Sequence, residues 1–333
     1  MKCHRCNAEN LPSDARYCPV CGRRPVADSV SPTPQLRIVV KQGTAKLPTV
    51  LAPGKYLIVE QVSKFFNSLF GNSNASSQRS EGVYPLAKGS NVILLSLAPE
   101  FTKGLRIVNG EDVSVVDFDN FKAEVSFNAL EMFKGCTSLT TVDLTGMGCV
   151  KVRDAAWMFY GCRQLRSINM GNLDFCNVTS FNRMFSECSA IEEINLESVH
   201  SRRPVVTDYM FEGCHCLSHI DFTGWCDVRI TSALRMFASC WKIKDLSLAG
   251  LNFGSVTNIN GMFDGCLGLE RVDFSGLNLD KMTVPAARIF DGCRKLREVV
   301  LRHCSPKTQD MITLQINQLV SANPGMKVNI IRN

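Results

Sequence analysis

The sequence predicts an α/β repeat solenoid of about eight coils, preceded by a small β-rich domain and a short cysteine-rich module. Three observations carry this prediction. A Met-Phe pair and a cysteine return every 26 residues, each repeat contains a short alternating strand pattern, and two Cys-x-x-Cys pairs lie near the amino terminus. With 333 residues, 45 % of them hydrophobic, the chain is long enough to bury a substantial core.

The cysteine-rich module, residues 1–25, has the spacing of a metal site. Two residues between the cysteines of a pair let both thiolates reach one tetrahedral ion at about 2.3 Å. Because a four-thiolate site has no open position for water or substrate, the spacing predicts one structural Zn²⁺, without which about 25 residues cannot hold a fold. The alternative is a pair of disulfides or four unrelated thiols. The predicted ligands are Cys3, Cys6, Cys18 and Cys21.

The Cys-Pro-Val-Cys-Gly sequence at 18–22 resembles the short zinc ribbons at the amino termini of many bacterial proteins. Residues 25–35 combine three prolines with small polar residues, which predicts a linker at 26–35. Residues 36–100 contain apolar, β-branched runs at 36–41, 55–61 and 91–97 with turn signals between them. We expect these residues to form the small β-rich domain.

The solenoid is predicted for residues 101–304 because the cysteine spacing of 26 is unbroken until the last repeat, which has one extra residue. An eighth, degenerate coil precedes the first cysteine, with Gly110 in the cysteine's place. A short helix is expected in each coil because Met262 and Phe263 follow Ile259 by three and four residues. The repeated cysteines are Cys136, Cys162, Cys188, Cys214, Cys240, Cys266 and Cys293.

Stacking of the coils should align these cysteines as a buried ladder. Their Cβ vectors would then point in parallel into the core, which is the wrong geometry for disulfides. We therefore expect them to act as small apolar core residues and not as redox or metal groups. Free thiols beside a zinc-thiolate site favour a reducing compartment.

The repeats resemble the BspA-like leucine-rich repeat, a family marked by the pattern Met-Phe-x-x-Cys-x-x-Leu-x-x-Ile-Asp-Leu-Ser-Gly. The match extends from Ile107 to about Cys304. The resemblance implies a surface protein that acts in adhesion and protein binding. No secretory signal is visible in this sequence, and it begins with the predicted zinc ribbon, so we expect a cytoplasmic protein, with the cell surface as the family-based alternative.

A binding face is predicted on the exposed side of the strands, where side chains alternate with the buried apolar set. An alternative was that the Asp and Asn side chains of this face form a solvated or self-hydrogen-bonded ladder that stabilises the sheet. The predicted partner-binding residues are Asp143, Asn169, Glu193, Asn195, His219, Asp221, Asp245, Arg271 and Asp273.

The area of this face is small. Eight strands about 4.8 Å apart give a length of roughly 34 Å, and strands of three or four residues give a width of about 12 Å. The resulting area of roughly 400 Å² is half of the about 800 Å² that a standard interface needs from each partner. A partner should therefore also contact the flanking loops or the middle domain.

Residues 305–333 are predicted to cap the solenoid with a helix at 310–322 and a strand at 327–331. No GxSxG elbow, phosphate-binding glycine loop or HExxH motif is present, and the five histidines form no catalytic pattern. No apolar run is long enough to span a membrane.

These patterns predict a non-enzymatic scaffold that binds a protein partner through the solenoid, with the zinc ribbon as a second docking module. The net charge of +6 permits a nucleic-acid partner but does not imply one. The alternatives are therefore an adaptor whose basic zinc ribbon contacts nucleic acid, or a surface adhesin. The sequence does not determine the oligomeric state.

Overall fold

A computed structural model of the chain describes most of the repeat region and six strands upstream of it. The described residues are 35–40, 56–61, 81–85, 91–97, 105–108, 113–118, 127–148, 150–171 and 173–332. The predicted zinc ligands Cys3, Cys6, Cys18 and Cys21 and residues 26–34 of the predicted linker lie outside these ranges, so the zinc site stays a prediction.

Strands are the most frequent regular elements among the described residues. The six upstream strands are β1 (Gln35–Val40), β2 (Tyr56–Gln61), β3 (Glu81–Pro85), β4 (Asn91–Leu97), β5 (Leu105–Val108) and β6 (Val113–Phe118). The following strands are β7 (Phe127–Asn128), β8 (Thr141–Asp143), β9 (Val152–Asp154), β10 (Ser167–Asn169), β11 (Glu193–Asn195), β12 (Val205–Val206), β13 (His219–Asp221), β14 (Ile230–Ser232), β15 (Asp245–Ser247), β16 (Arg271–Asp273), β17 (Glu298–Val300) and β18 (Asn329–Ile331).

Parallel pairing of equivalent strands confirms the repeat solenoid. Thr141 pairs with Ser167 and Glu193 with His219, in each case one repeat of 26 residues apart. The same register joins β15 to β16, and β16 to β17 with one additional residue. A second set of short parallel pairs, β7 with β9 and β12 with β14, runs along another side of the coils. Each coil therefore buries its apolar side chains only by stacking on its neighbours.

The degenerate coil before the first cysteine is in the predicted register. Val116 of β6 pairs with Val142 of β8, and the Ile107 N–H donates to the Met132 carbonyl at 2.9 Å. The parallel sheet continues upstream, because β6 pairs with β4 and β4 with β1. β5 and β3 pair antiparallel with β2. One sheet thus crosses the boundary expected between 36–100 and 101–304, and that division stays a prediction.

The prediction of a short helix in each coil is wrong for the repeats that the structure describes. Their Met-Phe segments form turns in which the Phe N–H donates to the next coil, as from Phe133 to the Met158 carbonyl at 2.8 Å. The residue before Met158 is Trp157, with a φ of 60°, which interrupts a right-handed helix. Because these N–H groups bond between coils, the i to i−4 bonds of a helix do not form. The described repeats contain one short helical segment, the three-residue 3₁₀ turn Thr145–Met147, which follows β8 and is not part of a Met-Phe segment.

The phenylalanines of the Met-Phe pairs form a continuous stack in the core. Neighbouring rings lie 5.2 to 5.9 Å apart between centroids, with interplanar angles of 3 to 8°. This offset stacking follows from the 26-residue register, which places the same side chain at the same point of each coil. The stacked residues are Phe133, Phe159, Phe185, Phe211, Phe237, Phe263 and Phe290.

The buried cysteine ladder is confirmed. All seven repeated cysteines are fully buried and free of disulfides. The Cys188 thiol donates to the Phe159 carbonyl of the preceding coil at 3.1 Å, and the other ladder thiols from Cys162 onward make the equivalent bond. Burial raises the pKa of the Cys188 thiol well above its usual value. These thiols therefore stay protonated and serve the core.

The last coil is covered by helix α1 (Pro306–Ala322) and β18. α1 begins four residues before the start expected from the sequence, because the Ser305 hydroxyl caps it by accepting from the Thr308 N–H at 3.2 Å. Its residues Ile312, Ile316 and Leu319 pack into the core, and β18 pairs in parallel with β17. Both elements cover an edge that would otherwise expose apolar side chains and unpaired backbone groups.

Candidate partner-binding site

The strand face carries the nine predicted partner-binding residues on six strands, β8, β10, β11, β13, β15 and β16. Glu193, Asn195, His219 and Asp245 are exposed, and the other five are partly exposed. The structure thus brings all nine to one face. Whether they contact a partner stays a prediction.

The last residue of five of these strands is an Asp or Asn that also forms a hydrogen bond within its own coil. Its side-chain oxygen accepts the backbone N–H two residues later, at the turn that follows the strand, which is an Asx turn. One oxygen of each side chain is therefore already used within the coil, as the self-hydrogen-bonded alternative expected. The acceptors are Asp143 at 2.9 Å, Asn169 at 3.1 Å, Asn195 at 2.8 Å, Asp221 at 2.8 Å and Asp273 at 2.9 Å.

Arg271 is also engaged within the face. Its guanidinium bonds Glu298 at 2.8 Å, Asp245 at 3.1 Å and Asp273 at 3.2 Å, joining three neighbouring strands. The hydrogen bond to Glu298, followed by those to the aspartates, raises the pKa of Arg271. Arg271 thus neutralises the face beside β16, and the unpaired acidic character lies towards β11 and β13.

The backbone ladder of the face opens between β13 and β15. Leu196 donates to the Asp221 carbonyl at 3.0 Å and Leu248 to the Asp273 carbonyl at 2.8 Å, but the described residues show no equivalent bond from Phe222 to Ser247. The two strands accordingly belong to separate sheets. The ladder is interrupted once more, between β10 and β11.

A groove of about 540 Å³ lies at the opening between β13 and β15. Its walls are the two strands and the turns that follow them. Three of the predicted partner-binding residues, His219, Asp221 and Asp245, line it. The remaining lining residues are Ile220, Phe222, Thr223, Gly224, Cys226, Leu246, Ser247, Ala249, Gly250 and Leu251.

A bulky side chain packs beside the groove. Trp225 is fully buried at the place that Val199 and Leu251 occupy in the neighbouring coils. Its ring packs against the lining residue Phe222 with centroids 5.6 Å apart. This coil thus holds an indole where its neighbours hold an aliphatic side chain. The Trp225 indole N–H has no hydrogen-bond partner among the described residues.

The groove is anionic at neutral pH. The hydrogen bonds from the Thr223 side chain and backbone hold the pKa of Asp221 below its usual value, so this carboxylate is charged across the physiological range. Asp245, 61 % exposed on the opposite strand, is bonded by Arg271 at 3.1 Å. A cationic side chain of a partner would therefore meet the carboxylate of Asp221 on one wall and the Arg271-bonded carboxylate of Asp245 on the other.

Sequence reasoning missed a partly exposed ridge of aromatic and charged residues beside the Met-Phe turns. Arg183 lies over the Tyr209 ring at 3.9 Å and over the Trp157 ring at 5.1 Å, and it pairs with Glu212 at 2.8 Å. Arg235 continues the ridge by bonding Glu212 at 2.9 Å. Reading the column before each Met and after each Phe would have found these residues, which stabilise one another across coils.

The repeat region matches two known families. Residues 120–244 match the BspA type leucine rich repeat region, in six copies, and residues 205–314 match a family described as Mycoplasma protein of unknown function, DUF285. The repeats within residues 120–244 are thus similar to the BspA type. The resemblance of the repeats is thereby confirmed, and it does not extend to the predicted zinc ribbon. No curated protein matches the chain.

No group of three or more histidine, cysteine or acidic side chains is arranged to hold a metal in the part of the chain that the structure describes. Among the same residues, no helix is both long and apolar enough to cross a bilayer.

Proposed function

We propose that the solenoid is a non-enzymatic binding module that engages a protein partner through the strand face, with the groove between β13 and β15 as the anchor point. The observation that carries this proposal is the opening of the strand ladder within the predicted face. The BspA-like repeat type supports a protein-interaction or adhesin-like role.

The groove enlarges the contact area, which is too small on the strand face alone. A flat face of roughly 400 Å² is too small for a standard interface. The groove adds the walls of two turns, at 223–226 and 249–251, to the contact surface. Anchoring of one side chain in a concave site concentrates binding energy near the centre of an interface.

The negative charge of the groove favours a cationic side chain of the partner as the anchor. Asp221 and Asp245 stand on opposite walls, and the exposed Glu193 lies beside His219 on the adjoining strand pair. We therefore propose that the partner inserts an arginine or lysine side chain between the two aspartates. The Asx turn of Asp221 holds its carboxylate in place for the partner.

The predicted zinc ribbon is proposed as a second docking module on the spacing of its four cysteines alone. A cytoplasmic scaffold and a surface adhesin would use the same strand face, so the location of the protein remains part of the proposal.

The test is recovery of protein partners from the source organism on the immobilised full chain. The double variant Asp221→Asn with Asp245→Asn removes the two carboxylate charges of the groove and keeps the Asx turn of residue 221. We expect it to lower recovery of the specific partner by about tenfold or more, as expected for a buried charged anchor. Asp310→Lys, an exposed change on α1, is the matched control and should leave recovery unchanged.

Equal recovery by the double variant and the wild type, with both folded by circular dichroism, would contradict the groove as anchor. Loss of recovery in the Asp310→Lys control as well would show that binding follows net charge and not the groove.

A further inference from the structure

An exposed apolar patch lies on another edge of the solenoid, where the chain leaves the ladder cysteines. His215, Trp241 and Leu267 directly follow the cysteines of three successive coils. Trp241 is 45 % exposed and Leu267 is 51 % exposed, although both are large apolar side chains. At the same position the other described coils carry small polar or charged residues, namely Thr137, Arg163, Ser189 and Arg294.

The patch is held rigidly before any partner arrives. The His215 and Trp241 rings stack with centroids 3.7 Å apart and an interplanar angle of 12°. The next coil passes close beneath Trp241 at Gly268, where an added Cβ would lie 2.2 Å from the Trp241 carbonyl oxygen. Only glycine permits this contact, so the backbone of Trp241 is fixed by its neighbour. A preformed aromatic anchor loses little entropy on binding.

Five cations follow the ladder cysteines Cys240 and Cys293 by one, two or four residues, next to the patch in sequence or in repeat register. All five are exposed, and none forms an ion pair within the residues that the structure describes. The acidic residue between them, Glu270, is partly buried. This rim is therefore positive at neutral pH, in contrast to the anionic groove. Its members are Lys242, Lys244, Arg294, Lys295 and Arg297.

We infer that this edge binds an acidic peptide segment that places an apolar side chain against Trp241 and Leu267. Charge complementarity requires a negative partner. A nucleic acid fits less well, because one face of the Trp241 ring is already covered by His215 and Leu267 offers no aromatic plane for a base. An exposed Trp within a basic rim has the composition of a protein-binding hot spot.

The peptide edge, defined as His215, Trp241 and Leu267 with the five rim cations, is a different surface from the groove. None of its residues lines the groove. The inference does not depend on the proposed function, and either can fail alone.

The test titrates the full chain with synthetic peptides of about ten residues and follows tryptophan fluorescence. One panel combines Glu or Asp with Leu or Phe, a second replaces the apolar residues by Ser, and a third replaces the acids by Lys. We expect the first panel to contain peptides that shift the emission of Trp241 and bind at least about tenfold more tightly than the other panels. The shift should be absent in Trp241→Phe.

Two further variants locate the binding. Lys242→Glu with Lys295→Glu should weaken acidic peptides by about tenfold or more, whereas the control Lys281→Glu with Lys327→Glu, of equal charge change on other exposed positions, should not. Asp221→Asn in the groove should have no effect. Equal binding of the three panels, equal loss in both double variants, or tighter binding of oligothymidylate than of any acidic peptide would overturn the inference.

Discussion

Asp154 illustrates how burial determines the contribution of a single residue to stability. Its carboxylate accepts the Ala156 N–H at 2.8 Å, the same turn bond that the neutral Asn128 and Asn258 make to Leu130 and Asn260 one and four coils away. Burial raises the pKa of Asp154 to about 6. The capping bond needs only an oxygen, so the negative charge at this position is a cost to the fold at neutral pH.

Replacement of Asp154 by Asn should therefore stabilise the protein at pH 7, by on the order of 1 kcal/mol. The folded pKa exceeds the unfolded value of 3.8, so the contribution of the protonated carboxyl is fully present below about pH 4 and is lost as the pH rises through about 6. The gain should vanish at pH 4. Urea denaturation of wild type and variant from pH 4 to 8 measures it.

Asp174 is the matched control, because it caps Cys176 at 2.8 Å in the same manner but is more exposed. The backbone hydrogen bond from Cys176 lowers the pKa of Asp174, so its contribution is present at neutral pH and is lost on acidification. Asp174→Asn should destabilise the protein at pH 7. The same sign of change in both variants would show that burial does not separate the two carboxylates.

The sequence predicted the positions of single residues on the strand face but not the hydrogen bonds that they form. The alternating pattern correctly places Asn195 on the exposed face, beside Asp221 of the next coil. The pattern does not show that the Asn195 oxygen accepts the Glu197 N–H, because that bond depends on the backbone of the turn after the strand. The residues left free for a partner are decided by this local geometry.

At the scale of the coil, turns take the place of the expected helices. A spacing of three and four residues between apolar side chains fits a helix, but it also fits a tight turn that buries the same side chains. The choice depends on the backbone N–H groups. Those of the Phe residues donate to the neighbouring coil, as from Phe185 to Met210 at 2.9 Å, and stacking therefore wins over local helix formation.

The Asx turns should contribute measurably to the stability of the coils. Asn195→Ala leaves the Glu197 N–H without its side-chain acceptor, and we expect it to lower the free energy of unfolding by about 0.5 to 1 kcal/mol. Glu193→Ala, on the same strand and equally exposed, should change it by less than about 0.5 kcal/mol. Urea denaturation compares them, and equal effects would mean that the turn bond is not stabilising.

At the scale of the whole molecule, the solenoid is a stack whose two ends must be protected. The described carboxyl end is covered by α1 and β18, which extend the core and the parallel ladder by one further step. Towards the amino end, β4 and β1 continue the same ladder beyond the degenerate coil. The stability of each coil therefore depends on its neighbours along the stack.

The cap should matter through its buried face alone. Ile312→Ala removes a fully buried side chain between α1 and the last coil and should cost about 2 to 4 kcal/mol, seen as a lower urea midpoint. Leu314→Ala, on the same helix but 56 % exposed, should change the midpoint little. If both variants behaved alike, α1 would not be a cap of the core.

The sequence alone determined the repeat, the register, the buried Phe and Cys ladders and the face that the polar side chains share. A period of 26 residues leaves one way to stack identical coils, so position within the repeat fixes burial. The spacing of Cys3, Cys6, Cys18 and Cys21 also predicted a zinc site, and these residues lie outside the described residues.

Only the tertiary structure decided where the regular ladder is broken. The groove at Asp221 and Asp245 lies where β13 and β15 do not pair, beside the buried Trp225, and the peptide edge follows from the stacking of His215 on Trp241 above Gly268. Both depend on contacts between coils at particular side chains that depart from the repeat. A periodic pattern describes what the coils share, whereas candidate sites arise where one coil differs from the next.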